Sequence, residues 1–247
     1  MLKVLLCGSR GKMGAAVKAA VENREEICIA AEVDVRVQDG EKNAFSSFDK
    51  VNGEYDAIID FSHPSVTDSM LKYAVATKTP VVLCTTGLSD EQIANAKSAA
   101  KEIPLFFSAN MSLGVNLMVS LCKKAAEILG DDFDIEIIEK HHNQKIDAPS
   151  GTALMLANAI NDGGEYDYIY DRQSVRKKRE KREIGIHSVR GGNIVGEHEV
   201  IFAGHDEVVS LKHSATSKEV FAVGAVNAAA FLKGKQAGLY DMQDMLK

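Results

Sequence analysis

Gly8-Ser9-Arg10-Gly11-Lys12-Met13-Gly14 stands between a short apolar run, residues 4–7, and a segment with Met13, Ala16, Val17, Ala20 and Val21 at helical spacing. That is a strand, a glycine turn and a helix. Such a turn brings the first backbone N–H groups of a helix to the end of a buried strand, where they hold a pyrophosphate, and glycines let the phosphate approach. The spacing is G-x-x-G-x-x-G and not the commoner G-x-G-x-x-G, so the bare pattern also suits a purely structural turn. Asp34 tips the balance. It follows Gly14 by about 20 residues and closes a second strand-like run, 27–33, where an acidic side chain accepts hydrogen bonds from an adenosine ribose. Together the two features point to dinucleotide binding.

The rhythm persists beyond Asp34. Residues 57–61 read as a buried strand, 66–76 as a helix, 80–84 as a strand, 89–100 as a capped helix and 104–108 as a strand. Strands and helices alternating at this length predict an α/β fold with a doubly wound parallel sheet. After Asn110 the pattern changes. A long amphipathic helix over 115–129 leads to a strand over 135–140, and 185–211 alternates in short runs punctuated by Gly191-Gly192 and Gly204, predicting antiparallel strands of an open sheet. An alanine-rich helix over 220–232 has the small side chains needed to pack closely back on the first domain. The expected division is therefore a dinucleotide-binding domain, 1–111 with 218–247, and a smaller α+β domain, 112–217, with hinges near Ser112 and Lys218.

Charge and cysteine content narrow the function classes. A formal charge of −6 argues against nucleic acid or an anionic membrane and favours a small soluble ligand. The run 176–183 is mixed in sign and reads as a solvated loop or helix face. Cys7, Cys28, Cys84 and Cys122 form no close pair of the kind a zinc knuckle or redox motif needs, so they are expected to be reduced thiols, mostly buried. No apolar run is long enough to span a bilayer, and the first one is too brief for a signal-peptide core, which predicts a cytoplasmic protein.

Residues 139–153 carry the densest chemistry: Glu139-Lys140-His141-His142-Asn143-Gln144-Lys145, then Asp147-Ala148-Pro149-Ser150-Gly151-Thr152-Ala153 at the start of a helix. Two histidines, a lysine and a Ser-Gly-Thr turn make an anion-binding and proton-donating group. The plainer alternative is a polar loop that caps the helix through Ser150 or Thr152. Zinc is excluded by the lack of a third nearby ligand, and no metal site is expected.

This stretch resembles the signature of the 4-hydroxy-tetrahydrodipicolinate (dihydrodipicolinate) reductases. Gly8 to Gly14, Asp60-Phe61-Ser62-His63-Pro64, Cys84-Thr85-Thr86-Gly87, the run from Ser108 to Asn116, Gly191 to His198 and Gly238-Leu239-Tyr240-Asp241-Met242 are similar to the family as well, so the likeness covers nearly the whole chain. The resemblance implies hydride transfer from NADH or NADPH to a cyclic imine dicarboxylate in the diaminopimelate and lysine pathway. It implies that His141 is the proton donor and acceptor and Lys145 a second donor, with His142, Ser150, Gly151 and Thr152 on the substrate carboxylates. On the cofactor side it places Gly8, Ser9, Arg10, Gly11, Lys12 and Met13 at the pyrophosphate and Asp34 at the ribose. Cys84, Thr85 and Thr86 fall beside the nicotinamide ribose and carboxamide, and Ser108, Ala109, Asn110 and Met111 near the ring. It also implies a Rossmann domain, a substrate domain with an open mixed sheet, and a homotetramer.

Two departures stand out. Val35 occupies a position where NADPH-preferring members often carry a cation, although Arg10, Lys12 and Arg36 are cations near enough in sequence to meet a 2′-phosphate, so use of both cofactors is expected. Cys84 occupies a position that is often glycine. Two rivals remain at this stage: another two-domain dehydrogenase acting on an amino or sugar acid, and a non-enzymatic NADH sensor.

Overall fold

In the computed structural model, which describes residues 1–38, 40–174 and 176–247, the chain forms two compact units, Met1–Ser112 with Lys218–Lys247, and Leu113–Ser217. In chain order the strands are β1 Leu2–Cys7, β2 Ile27–Val33, β3 Ala44–Phe45, β4 Ala57–Asp60, β5 Val81–Leu83, β6 Pro104–Phe107, β7 Asp134–His141, β8 Asp167–Ile169, β9 Glu183–Arg190, β10 Gly196–Ala203, β11 Val208–Ala215 and β12 Gly238–Tyr240. The helices are α1 Lys12–Val21, α2 Pro64–Thr77, α3 Asp90–Ala99, α4 Leu113–Leu129, α5 Gly151–Ile160, α6 Glu219–Phe231 and α7 Met242–Leu246.

The first unit is a parallel sheet ordered β12-β6-β5-β4-β1-β2-β3. Both faces are covered, which explains why its central strands read as near-continuous apolar runs instead of alternating, with Lys3 and Asp60 as the exceptions in β1 and β4. Val4 and Leu6 of β1 point into one cluster with Val17, Val21, Ala225 and Val226 of α1 and α6; Leu5 and Cys7 point into the other with Met70, Ala74 and Ala96 of α2 and α3. The chain runs outward from β1 in one direction, then returns to β4 and runs outward in the other. The strand order therefore reverses between β1 and β4, and a crevice opens there beyond the carboxyl ends of the strands. A glycine makes the seat of α6 possible: Gly224 approaches the Met111 carbonyl so closely that a Cβ would lie 1.7 Å from its oxygen.

The second unit is a mixed sheet ordered β11-β10-β7-β9-β8 with α4 and α5 packed on one face. One expectation for this region is corrected. β10 and β11 are antiparallel, but β9 lies parallel to both β7 and β8. The reason is connectivity: α5 returns the chain after β7, and the charged run returns it again after β8, so each strand restarts at the same end of the sheet. The charged run also does more than face solvent. Arg179 is mostly covered and donates to the carbonyls of Ile135 and Glu183 and to Asp134 and Glu136, fixing the loop to the start of β7 and β9.

Candidate functional site

In the first unit, two cavities of about 430 and 580 Å³ lie at the carboxyl ends of the parallel strands, and Phe61 and Ser62, just after β4, line both. The first holds Gly8, Gly11, Asp34 and Arg36; the second holds Met13, Cys84, Thr85, Thr86, Ser108, Ala109, Asn110 and Met111. Of the positions expected to meet a dinucleotide, only Ser9, Arg10 and Lys12 are outside both linings. Ser9 is buried, while Arg10 and Lys12 are exposed, with Arg10 paired to Glu41.

The glycine turn is built for close approach. Gly8 has φ +78°, and a Cβ there would fall 2.4 Å from the Phe61 carbonyl oxygen; one at Gly14 would fall 2.5 Å from the Gly8 oxygen. Gly11 caps α1 with no side-chain hydrogen bond to the first turn, so those N–H groups remain for an anionic ligand. This arrangement fits a dinucleotide pyrophosphate.

Asp34 closes the same lobe. Its carboxylate accepts from Arg10 N at 3.0 Å, Arg36 N at 3.0 Å, Arg36 Nε at 2.9 Å and Arg36 Nη2 at 3.0 Å. Burial works to raise its pKa, but the Arg36 and Arg10 hydrogen bonds outweigh burial and hold it at about 2. Below the floor of the cleft lies Asp60, fully buried, accepting from Thr85 Oγ1 at 2.8 Å and Ser62 N at 3.0 Å; burial pushes its pKa up. It anchors two of the loops that line the second cavity. Sequence reading quoted Asp60 without giving it a role.

The second unit brings His141, Lys145 and the start of α5 into one network. His141 ends β7, and its Nδ1 lies 2.5 Å from Glu139 Oε2. Glu139 is fully buried, and it also accepts from Arg190 Nη1 at 2.8 Å, Arg190 Nη2 at 2.7 Å and Ser150 N at 3.2 Å. Burial opposes the charge, but Arg190, the Ser188 hydroxyl and His141 hold Glu139 at about 2. An ionised carboxylate only accepts, so the His141 proton is on Nδ1 and Nε2 is the reactive nitrogen. Burial lowers the His141 pKa, Glu139 opposes this, and Lys145 and Arg190 add to it. Lys145 itself is ion-paired to Asp147 at 2.8 Å.

Ser150 caps α5, its Oγ accepting from Ala153 N at 3.2 Å and lying 2.9 Å from His198 Nε2. Because the Ser150 N–H is given to Glu139, the N–H groups that helix α5 offers an anion begin at Gly151. His142 is half-buried at the head of the loop, its carbonyl accepting from Lys145 N at 3.1 Å. Glu139 and His198 stand in stretches quoted from the sequence but were given no role there, and Arg190 was not named. One signal was present: β7 buries every second residue, and Glu139 shares that phase with Ile135 and Ile137, a place where a carboxylate requires partners. Arg190 and His198 come from other strands and gave no local signal. Among the described residues no group of histidine, cysteine or acidic side chains has metal-binding geometry.

The N-terminal profile of dihydrodipicolinate reductase matches residues 2–111, and its C-terminal profile matches 114–246. The chain belongs to the dihydrodipicolinate reductase family. Proteins named 4-hydroxy-tetrahydrodipicolinate reductase from Clostridium novyi and Caldanaerobacter subterraneus are each 48 % identical over 249 aligned positions, covering 100 % of this chain and 99 % of theirs. A dipicolinate-bound dihydrodipicolinate reductase from Paenisporosarcina sp. TG-14 superposes with a TM-score of 0.79 at 24 % identity, over 98 % of this chain and 97 % of that one, so the two share the fold. More distant dehydrogenases share the fold as well, among them a probable dehydrogenase from Thermotoga maritima at TM-score 0.62 and 13 % identity, over 98 % of this chain and 92 % of that one.

Proposed function

We propose that this chain reduces 4-hydroxy-tetrahydrodipicolinate to tetrahydrodipicolinate with NAD(P)H, a step of diaminopimelate and lysine biosynthesis. The observation that carries the reading is that His141 and the N-terminal Ser150 of α5 both meet one buried carboxylate, Glu139, and that its partner Arg190 also holds the Asp147 carbonyl beside Lys145, in a chain of this family. A proton donor, a cation and a helix start held together suit a dianionic ring that must gain a proton.

When bound, the reduced nicotinamide supplies the hydride. The first-turn N–H groups of α1 hold its pyrophosphate, Asp34 the adenosine ribose, and the loops with Thr85, Thr86 and Asn110 the nicotinamide end. Lys145 and the N–H groups from Gly151 onward orient the two carboxylates, with His142 at the rim. The substrate loses its 4-hydroxyl as water to give a conjugated ring imine, that imine takes the hydride, and His141, charged and held at Nδ1, releases its Nε2 proton to the reduced ring. Asp147 parks Lys145 until a substrate carboxylate replaces it.

Both nicotinamide cofactors are accepted in this reading. Arg36 is largely exposed and bound only to Asp34 among the pairs described, so it swings to a 2′-phosphate while Asp34 serves a free 2′-hydroxyl. The four cysteines are free, as a reducing cytoplasm keeps them, and no helix among the described residues is long and apolar enough to cross a membrane. The uncovered face of the second unit's sheet is assigned to homotetramer assembly. The test is loss of NADH absorbance on adding the condensation product of pyruvate and aspartate semialdehyde; no loss with either cofactor would remove the assignment.

A further inference from the structure

We propose that Glu139, clamped by Arg190, is the positioning residue that locks the proton donor and the carboxylate-binding turn into one rigid unit. The inference rests on the reading of His141 as proton donor and of the α5 start as anion site. Its own observation is the way the four donors divide over the two oxygens. Oε2 takes His141 Nδ1 and Arg190 Nη1, while Oε1 takes Ser150 N and Arg190 Nη2. One carboxylate thus spans the imidazole and the helix start, and a fork of two N–H bonds fixes its plane.

The clamp reaches further. Arg190 Nη2 also donates to the Asp147 carbonyl at 2.6 Å, on the segment that presents Lys145, and Gly191 N donates to the His141 carbonyl at 2.9 Å. Arg190 ends β9 directly beside His141 in the parallel register. All three parts of the substrate site are therefore tied to a single ion pair. With no residue rotated, Nε2 is turned toward Gly196, where a Cβ would lie 3.1 Å away, so that glycine keeps the reactive nitrogen uncrowded.

Glu139 also sets how much of the donor is charged. The groups that face the His141 ring are Glu139 on its own strand, Arg190 on β9, His198 on β10 with ring centroids 5.1 Å apart, and Lys145 on the following loop. Burial, Lys145 and Arg190 favour the neutral ring, and Glu139 is the only one of these that favours the imidazolium. The acid form of His141 is the active one, so activity falls as pH rises through its pKa. Removing the Glu139 charge moves that fall to lower pH.

A residue that merely braced β7 against β9 would change stability and leave the pH profile alone. The experiment is therefore steady-state kinetics of Glu139→Gln across pH, with calorimetric binding of pyridine-2,6-dicarboxylate to the NADH complex and ¹⁵N spectra of the histidine rings. The expected result is a kcat about 100-fold lower near neutral pH, an alkaline limb displaced to lower pH, weaker dicarboxylate binding and an unchanged KM for NADH. Glu139→Asp keeps the charge and restores the wild-type position of the limb with part of the rate. Superimposable pH profiles for wild type and Glu139→Gln, with the Nδ1 signal of His141 unchanged, would overturn the inference. If Glu139→Gln fails to fold, Arg190→Lys carries the test: it loses one arm of the fork, and an undiminished kcat there would overturn the inference too. His141→Gln separates the two readings, because wild-type turnover in that variant removes the proton-donor assignment, whereas an inactive His141→Gln beside an unaffected Glu139→Gln removes only the role of Glu139.

Discussion

His141 is poised between two demands, since burial favours a neutral ring and proton donation requires a charged one. Its Glu139 partner resolves this at one nitrogen and leaves the other for chemistry. His141→Gln and Lys145→Ala are each expected to lower kcat by about 10²- to 10⁴-fold while leaving NADH affinity intact, measured by turnover and by fluorescence titration of the cofactor. Wild-type turnover in both variants would sink the assignment. Arg36 makes a separate claim. Arg36→Ala should lower kcat/KM for NADPH by roughly 10-fold, the worth of one charge-assisted contact, and leave NADH nearly unaffected, because the Asp34 carboxylate retains the Arg10 N–H. Here the sequence already named the acid and the candidate cations. It did not disclose that Asp34 and Arg36 bind each other in the absence of a ligand, since a bidentate pair depends on the path of the backbone between them.

At the scale of elements, the α1 seat is a demanding junction. Gly14→Ala puts a methyl 2.5 Å from the Gly8 oxygen and 2.6 Å from that of Ser9, both backbone atoms that have nowhere to go. The expected outcome is loss of dinucleotide binding with a lowered Tm, whereas Gly11→Ala, with its nearest atom at 3.3 Å, retains much of both; calorimetry and thermal denaturation read the difference. This junction was legible because a glycine turn is a local signal, and so were the long apolar strands and the capped helices. Ser89, for example, forms a full capping box with Gln92. The three-residue strands β8 and β12 were not legible, because so short a segment becomes a strand only through its neighbour. The direction of β9 escaped for a related reason: alternation reports which face a residue takes and says nothing of which way the partner runs. Glu139 and Arg190 meet only after that parallel pairing forms, so the candidate site was legible as a stretch of chemistry, 139–153, and its supporting clamp was not.

At the scale of the whole molecule, the open sheet face of the second unit is the unsolved surface. β7 presents Ile138 and Lys140 on it, β10 presents Glu197 and Ile201, and β9 and β11 add Val189 and Val208, which are 44 and 62 % exposed. Lys140 and Lys212 flank Glu197, each at 3.3 Å, so the apolar patch is bordered by charges that are already paired and need not be desolvated alone. A patch of this composition on an antiparallel edge suits a self-complementary interface between copies of the chain. The expected species in sedimentation is a tetramer of the 26.7 kDa chain. Ile201→Glu would set a charge in the middle of the patch, opposite Ser210 and Glu136 in the ladder. The variant should sediment as smaller species with an unchanged far-ultraviolet spectrum, because Ile201 belongs to the face away from α4 and α5 and its loss removes nothing from the core. A variant that remains tetrameric would assign the assembly to another surface and leave this face unexplained.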